Sequence, residues 1–188
     1  FGAINAQKIA HVNLDSLVST MPETKVASEA AKVYSEGLQQ ELMAMQTELE
    51  NKQKDYMEKE ASMSELLKKT KQEDFQQLYN RIETFRSQAQ QDYQRKSAEL
   101  TQPIMDKAKK AIESVAKEGG YKYVIDSSPQ GTALLYSEPS EDIFNAVKKK
   151  LDAMPAASIP GVAPAGTGGI KTPPQAPGKT NAPPKGKP

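Results

Sequence analysis

Apolar residues are spaced along this chain in different ways from one stretch to the next. Residues 8–14 read Lys-Ile-Ala-His-Val-Asn-Leu, and Ala10, Val12 and Leu14 fall on one side at a period of two, which predicts a strand. Beyond Pro22 the period lengthens. Ala27, Ala31, Tyr34, Leu38, Leu42, Met45 and Leu49 follow one another at steps of three and four. Gln53 interrupts, and Tyr56, Met63, Leu66 and Leu67 resume. A second stripe runs through Phe75, Leu78, Ile82, Phe85, Ala89, Tyr93, Leu100, Ile104, Ala108, Ala111 and Val115. Such steps keep one side of an α-helix apolar. An eleven-residue repeat fits both stripes (Tyr34, Met45, Tyr56, Leu67; Ile82, Tyr93, Ile104, Val115) and predicts nearly straight or slightly right-handed winding. A heptad frame through Leu42, Leu49, Tyr56 and Met63 fits the first stripe almost as well, so the handedness stays open.

The residues between the stripes agree with helix. Eighty positions between Pro22 and Pro103 contain no proline and a single glycine, Gly37, and are dominated by Glu, Gln, Lys, Ala, Leu and Met. Thr20 and Glu23 have capping-box spacing, and Pro22 is tolerated in a first turn. One helix over 22–118 would exceed ~100 Å. Folding it where the stripes pause, between Leu67 and Phe75, lets the two apolar sides bury each other and sets the expected tip near 68–72.

Gly119-Gly120 then signals a helix end. Residues 121–126 and 132–136 predict two more strands about a turn at 127–131, and residues 139–142 precede a short helix whose inner side is Phe144, Val147 and Leu151. Residues 155–188 hold nine of the thirteen prolines and six of the eleven glycines, with four lysines and no acid, the composition of a flexible tail. The expected fold is therefore α+β, mainly α: a β-rich head with an antiparallel coiled-coil hairpin inserted between strand 1 and strands 2–3. Its parts are a remnant at 1–7, the head at 8–23 and 119–154, the arms at 24–118 and the tail.

Composition sharpens this picture. Hydrophobic residues make up 37% and aromatic ones 6%, too little for a compact core of 188 residues and suited to an elongated molecule. The 25 basic and 24 acidic side chains are interspersed, without the concentrated basic surface of a nucleic-acid binder. No cysteine is present, and no apolar run approaches a membrane span. Residues 1–6 are apolar and end in the small Ala6, as a secretory leader does before its cleavage site.

No constellation of catalytic residues emerges. His11 is the single histidine and reads as structural, since no cysteine or second histidine completes a metal set or triad. Asp15 and Asp126 read as strand-end turn residues. Gly161 and Gly166 have phosphate-loop spacing, but Thr167 and Gly168 stand where Lys and Ser/Thr are needed. No enzyme activity, metal or cofactor is expected.

A head of about fifty residues struggles to bury enough surface alone, so a homo-oligomer joined through the heads is expected. Ile9, Val12, Leu14, Tyr123, Ile125, Leu134, Phe144, Val147 and Leu151 are the apolar candidates for that hub.

The run 8–13, the following Met21-Pro22-Glu23, the long hairpin, Gly120-Tyr121-x-Tyr123-Val124-Ile125-Asp126 and the final amphipathic helix together resemble the Skp/OmpH family of periplasmic chaperones over residues 8–154. That resemblance implies a trimer whose three helical arms enclose a cavity for unfolded outer-membrane β-barrel proteins, without ATP, in the periplasm. It favours leader cleavage near Ala6. Two features depart from the pattern: the tail, and a folded part whose net charge is about −3 once the four tail lysines are taken from the total of +1.

Client-contact candidates are the apolar residues displaced from the packing stripe. Met43 and Met57 lie two heptads apart, and with Leu67 and Tyr79 they offer an adaptable surface. Lys68, Lys69 and Lys71 form a basic cluster at the expected tip, suited to acidic clients or anionic lipid. The competing readings are a coiled-coil spacer of the envelope and a prefoldin-like holdase. The latter places its strands between its arms, unlike this chain.

Overall fold

The computed structural model describes residues 7–129, 134 and 136–162. The order is β1 (Ile9–Val12), α1 (Leu14–Ser19), α2 (Pro22–Lys59), a 3-10 turn at Glu60–Ser62, α3 (Glu65–Gly119), β2 (Tyr123–Asp126), a second 3-10 turn at Pro139–Glu141 and α4 (Phe144–Ala153). β1 and β2 pair in parallel, with Ile9 opposite Tyr123 and Val12 opposite Asp126. Parallel neighbours need a crossover connection, and here the whole hairpin supplies it. The strand expected over 132–136 is not formed at Leu134 or Tyr136, and residues 132, 133 and 135 lie outside the described residues. Asp142 instead meets the other edge of β1 in a single parallel bridge with His11, and the Ile143 N–H donates to the His11 carbonyl at 3.1 Å.

The helix start differs from the expected capping box. Asn13 caps the short α1 by accepting from the Ser16 N–H at 2.8 Å, and Thr20 turns back to the Leu17 carbonyl at 2.7 Å. With Thr20 engaged there, Met21 becomes the N-cap of α2 and Pro22 its first residue. Glu23 does not reach back to a cap; it is buried between the helices.

The arms span about 57 and about 82 Å at 1.5 Å per residue over their 38 and 55 residues. Every buried residue of α3 (Leu78, Ile82, Leu100, Ile104, Ala108, Ala111 and Val115) belongs to the stripe read from the sequence. The chain reverses earlier than expected, at residues 60–64 instead of 68–72. Ser64 caps α3 by accepting from the Leu67 N–H at 3.3 Å, so Lys68, Lys69 and Lys71 sit in the first two turns of α3 and not in the bend. Gly120 ends α3 at φ 69°, the left-handed position where a side chain is strained.

The core lies where the hairpin enters the head. Ala10 and Val12 of β1, Leu17, Met21, Ala27, the C-terminal half of the α3 stripe, and Val147 and Leu151 of α4 form one buried cluster. Residues 155–162, expected to be flexible, join it. Ile159 is buried, Val162 packs against the cluster, and the Ala157 N–H donates to Glu23 at 3.0 Å. Pro160 and Gly161 form a turn closed by a 3.2 Å bond from the Val162 N–H to the Ile159 carbonyl, with Gly161 at φ 79°. Residues 1–6, read above as the end of a leader, and 163–188 lie outside the described residues.

Candidate functional site

Two surfaces stand out: the flanks of the hairpin and the outward face of the strand pair. Along the hairpin, Met43, Met57, Leu67 and Tyr79 are all exposed, with Met57 at 71%. Met43, Met57 and Tyr79 each follow a stripe residue and are turned away from the seam, as expected one helical step off it, whereas Leu67 belongs to the stripe and is exposed all the same. Leu66, read above as a seam residue, is 76% exposed, because the early reversal puts it on the outer side of the first turn of α3. Lys68 is held by Glu65 at 2.9 Å.

The seam thins toward the tip. Beyond the base cluster only Met45, Leu78 and Ile82 are buried, with Leu42, Leu49 and Phe85 packed against them. Tyr56 and Phe75 close the upper end edge to face at 5.5 Å. Glu48 and Arg81 bridge the arms at 3.3 Å on the surface.

In the head, alternation along the strands divides the candidates. Val12, Val147 and Leu151 lie inside the chain's own core and offer nothing to a second copy. Leu14 and Phe144 pack against that core from its edge. Leu134 is half-buried outside any strand. Ile9 and Tyr123, paired across the sheet, face outward at 39% and 58% exposure, and Ile125 beside His11 continues that face. The apolar outward face is thus carried by Ile9, Tyr123 and Ile125.

Two carboxylates stiffen the junction between head and arms, and neither was assigned this part by sequence pattern. Asp126, read as a turn residue, accepts from the Leu14 N–H at 3.2 Å and from the N–H and hydroxyl of the buried Ser128 at 2.9 and 2.6 Å. Burial alone raises its carboxyl, but those donors outweigh it and hold the pKa below the ordinary value. Glu23 accepts from Lys107 at 2.6 Å and from the Ala157 N–H, tying α2, α3 and the segment after α4 together. Its burial also works upward, and the Lys107 and Ala157 bonds bring the net shift below the ordinary value. His11 bonds the Glu138 carbonyl at 3.3 Å, a structural contact. Among the described residues no His, Cys, Asp and Glu are grouped to hold a metal, and no helix is long and apolar enough to cross a membrane.

Geometry of this kind, with long arms and exposed apolar flanks, suits binding. Known proteins agree. The family described as outer membrane protein (OmpH-like) matches residues 8–151. The chaperone protein Skp of Yersinia enterocolitica is 30% identical over 152 residues, covering 79% of this chain and 88% of that one. An uncharacterised protein of Aquifex aeolicus is 32% identical over 154 residues, 81% and 85% of the two chains. An OmpH-like protein of Caulobacter crescentus, known from its crystal structure, superposes with a TM-score of 0.68 at 16% identity, covering 81% of this chain and 88% of its own, which shows a shared fold. The chain is a member of the Skp/OmpH-like family, a family of chaperones and not of enzymes.

Proposed function

We propose that this protein is an ATP-independent holdase of the periplasm that keeps unfolded outer-membrane proteins from aggregating by holding them between its arms. The observation that carries the reading is the contrast between a thin seam and well-exposed apolar residues on the same helices: Met43, Met57 and Tyr79 remain in water while three residues alone are buried in the upper seam. Exposed apolar side chains at intervals suit weak, repeated contacts to a chain without a fixed shape. Heads join through the outward face of Ile9, Tyr123 and Ile125, three copies in the arrangement the family resemblance implies, and the arms then project around a common space. Lys69 and Lys71, with the exposed Leu66 and Leu67 near the tip, give a surface for anionic lipid.

Light scattering of the full chain, coupled with ATP-free suppression of aggregation of an unfolded β-barrel protein, tests the reading. A trimer that keeps the client soluble is the expected result. A chain that leaves aggregation unchanged is a spacer and not a holdase.

A further inference from the structure

Residues 155–162 form a strap along one flank of the hairpin. Ala157 is half-buried and Ile159 buried, while Ala156, Ser158 and Pro160 are exposed, the alternation of an extended segment laid against a surface. The contacts give the strap a direction. Lys150 of α4 pairs with Glu118, and the Ala157 N–H donates to Glu23 beside Lys107. A β-carbon on Gly161 would stand 4.0 Å from the Lys96 Nζ. Glu118, Lys107 and Lys96 are eleven residues apart, close to three turns of α3 each, so they share a face. From α4 onward the chain therefore climbs that face from the head toward the tip, over about 33 Å of α3.

Higher on the same flank lies an open groove lined by Glu41, Met45, Arg81, Thr84, Phe85 and Gln88. Glu41 is eighteen residues, five turns, beyond Glu23 on α2, and Phe85 is eleven residues from Lys96 on α3. Both steps return to the face that the strap follows. Met45 and Phe85 give the groove an apolar floor and belong to the thin upper seam. On its rim Arg81 is paired with Glu48, whereas Glu41 has no ion-pair partner among the described residues. Gln88 and Arg81 lie about 12 and about 22 Å past Lys96 toward the tip.

The sequence after Val162 fits this groove in length and in chemistry. Residues 163–188 hold four lysines, no acid and one Ile, Leu, Val, Met or aromatic side chain, Ile170, with Lys171 beside it. Ile170 follows Gly161 by nine residues, a reach of up to about 30 Å when extended. We propose that the groove is a docking site for this chain's own residues 163–172, with Ile170 seated on Met45 and Phe85 and Lys171 against Glu41. The charges have the required sign, since those four lysines stand against about −3 for the rest of the chain. Ile170 adds apolar burial where the seam is thinnest, and the lysine beside it fixes which way the segment lies. The strap lies outside residues 8–151, which the family matches, so it is an addition of this chain that covers one flank of its own arms.

The chain has no cysteine, so introduced pairs report the contact directly. In the full chain, Gln88→Cys with Thr172→Cys tests the strap flank, and Ser35→Cys with Thr172→Cys tests the opposite one. Each is mildly oxidised at low protein concentration, and the products are separated by mass under denaturing conditions. The first pair is expected to close within one chain about fivefold faster than the second, or more. A disulfide between two chains, which would mean that a second copy fills the groove, overturns the proposal, as does equal closure of the two pairs. Hydrogen exchange gives a second readout on Ile170→Ser and Lys171→Glu. Amides of residues 38–49 and 78–88 are expected to exchange about tenfold faster in the first variant and less so in the second, with residues 100–115 unchanged. Exchange that rises equally at residues 100–115, or rises nowhere, also overturns it.

Discussion

The base of the hairpin and its upper half are built from the same two helices and the same spacing of apolar residues, yet they pack differently. At the base, α2 and α3 meet β1, α1, α4 and residues 155–162, and the buried cluster includes Leu17, Leu100, Ile104, Ala108, Ala111 and Val147 at 1% exposure or less. In the upper arms each helix has only the other to cover it, and Met45, Leu78 and Ile82 are the buried residues. A stripe on a helix therefore produces a core only in proportion to the elements that converge on it. Third and fourth layers, not a stronger stripe, make the base rigid. The upper arms keep helix with little tertiary support.

The sharpest way to break this comparison is to remove the same side chain from both halves. Ile104→Ala at the base should cost about 4 kcal/mol of unfolding free energy, because its neighbours from several elements cannot close the space. Ile82→Ala should cost about 2 kcal/mol, since a two-helix seam relaxes more easily. Denaturant titration of both variants measures the difference. Equal losses would mean that the upper seam is as tightly built as the base.

Next in size is the clamp of Glu23. Replacing Glu23 by Gln leaves Lys107 partly buried without its partner and removes the anionic acceptor for Ala157, an expected loss of about 3 kcal/mol. The pH dependence has a definite sign. The folded pKa of Glu23 lies below its ordinary 4.5, so its contribution is complete above that value and disappears as pH falls through the lower folded one. Asp126 adds to the same acid-side loss, starting from an ordinary 3.8. Melting temperature should therefore fall on acidification of the unmodified chain, with a shallower fall in Glu23→Gln. A parallel fall in both would remove Glu23 from the account. Smaller again is Gly120→Ala, expected to cost about 1 kcal/mol because its backbone is left-handed at φ 69°.

What the sequence made legible follows the range of the interactions. The arms are local: a side chain and its neighbour three or four residues on decide the pattern, so the seam from Leu78 to Val115 was readable residue by residue. The bend was harder, because it is made by Ser62, Met63 and Ser64 without glycine or proline, and the only signal is a serine placed to cap α3. The pairing of Ile9 with Tyr123 joins residues separated by the whole hairpin, and nothing in either strand specifies a parallel partner. Ile159 looked like one apolar residue in a proline-rich tail; its burial depends on a surface formed by four other elements. On the surface, Met43, Met57 and Tyr79 lie off the stripe and are exposed, and so is Leu67, which lies on it.

The smallest effect on stability should accompany one of the larger effects on binding. Met43 and Met57 are 64% and 71% exposed in arms that do not pack around them, so Met43→Ser combined with Met57→Ser should change unfolding free energy by less than about 0.5 kcal/mol. The same pair removes two of the exposed apolar residues of the arms, and client retention should fall while helicity and subunit number stay the same. If stability drops as retention does, the methionines belong to the fold and the plasticity of the upper arms has a different origin. If neither moves, the upper arms are spacers that only set the width of the enclosed space.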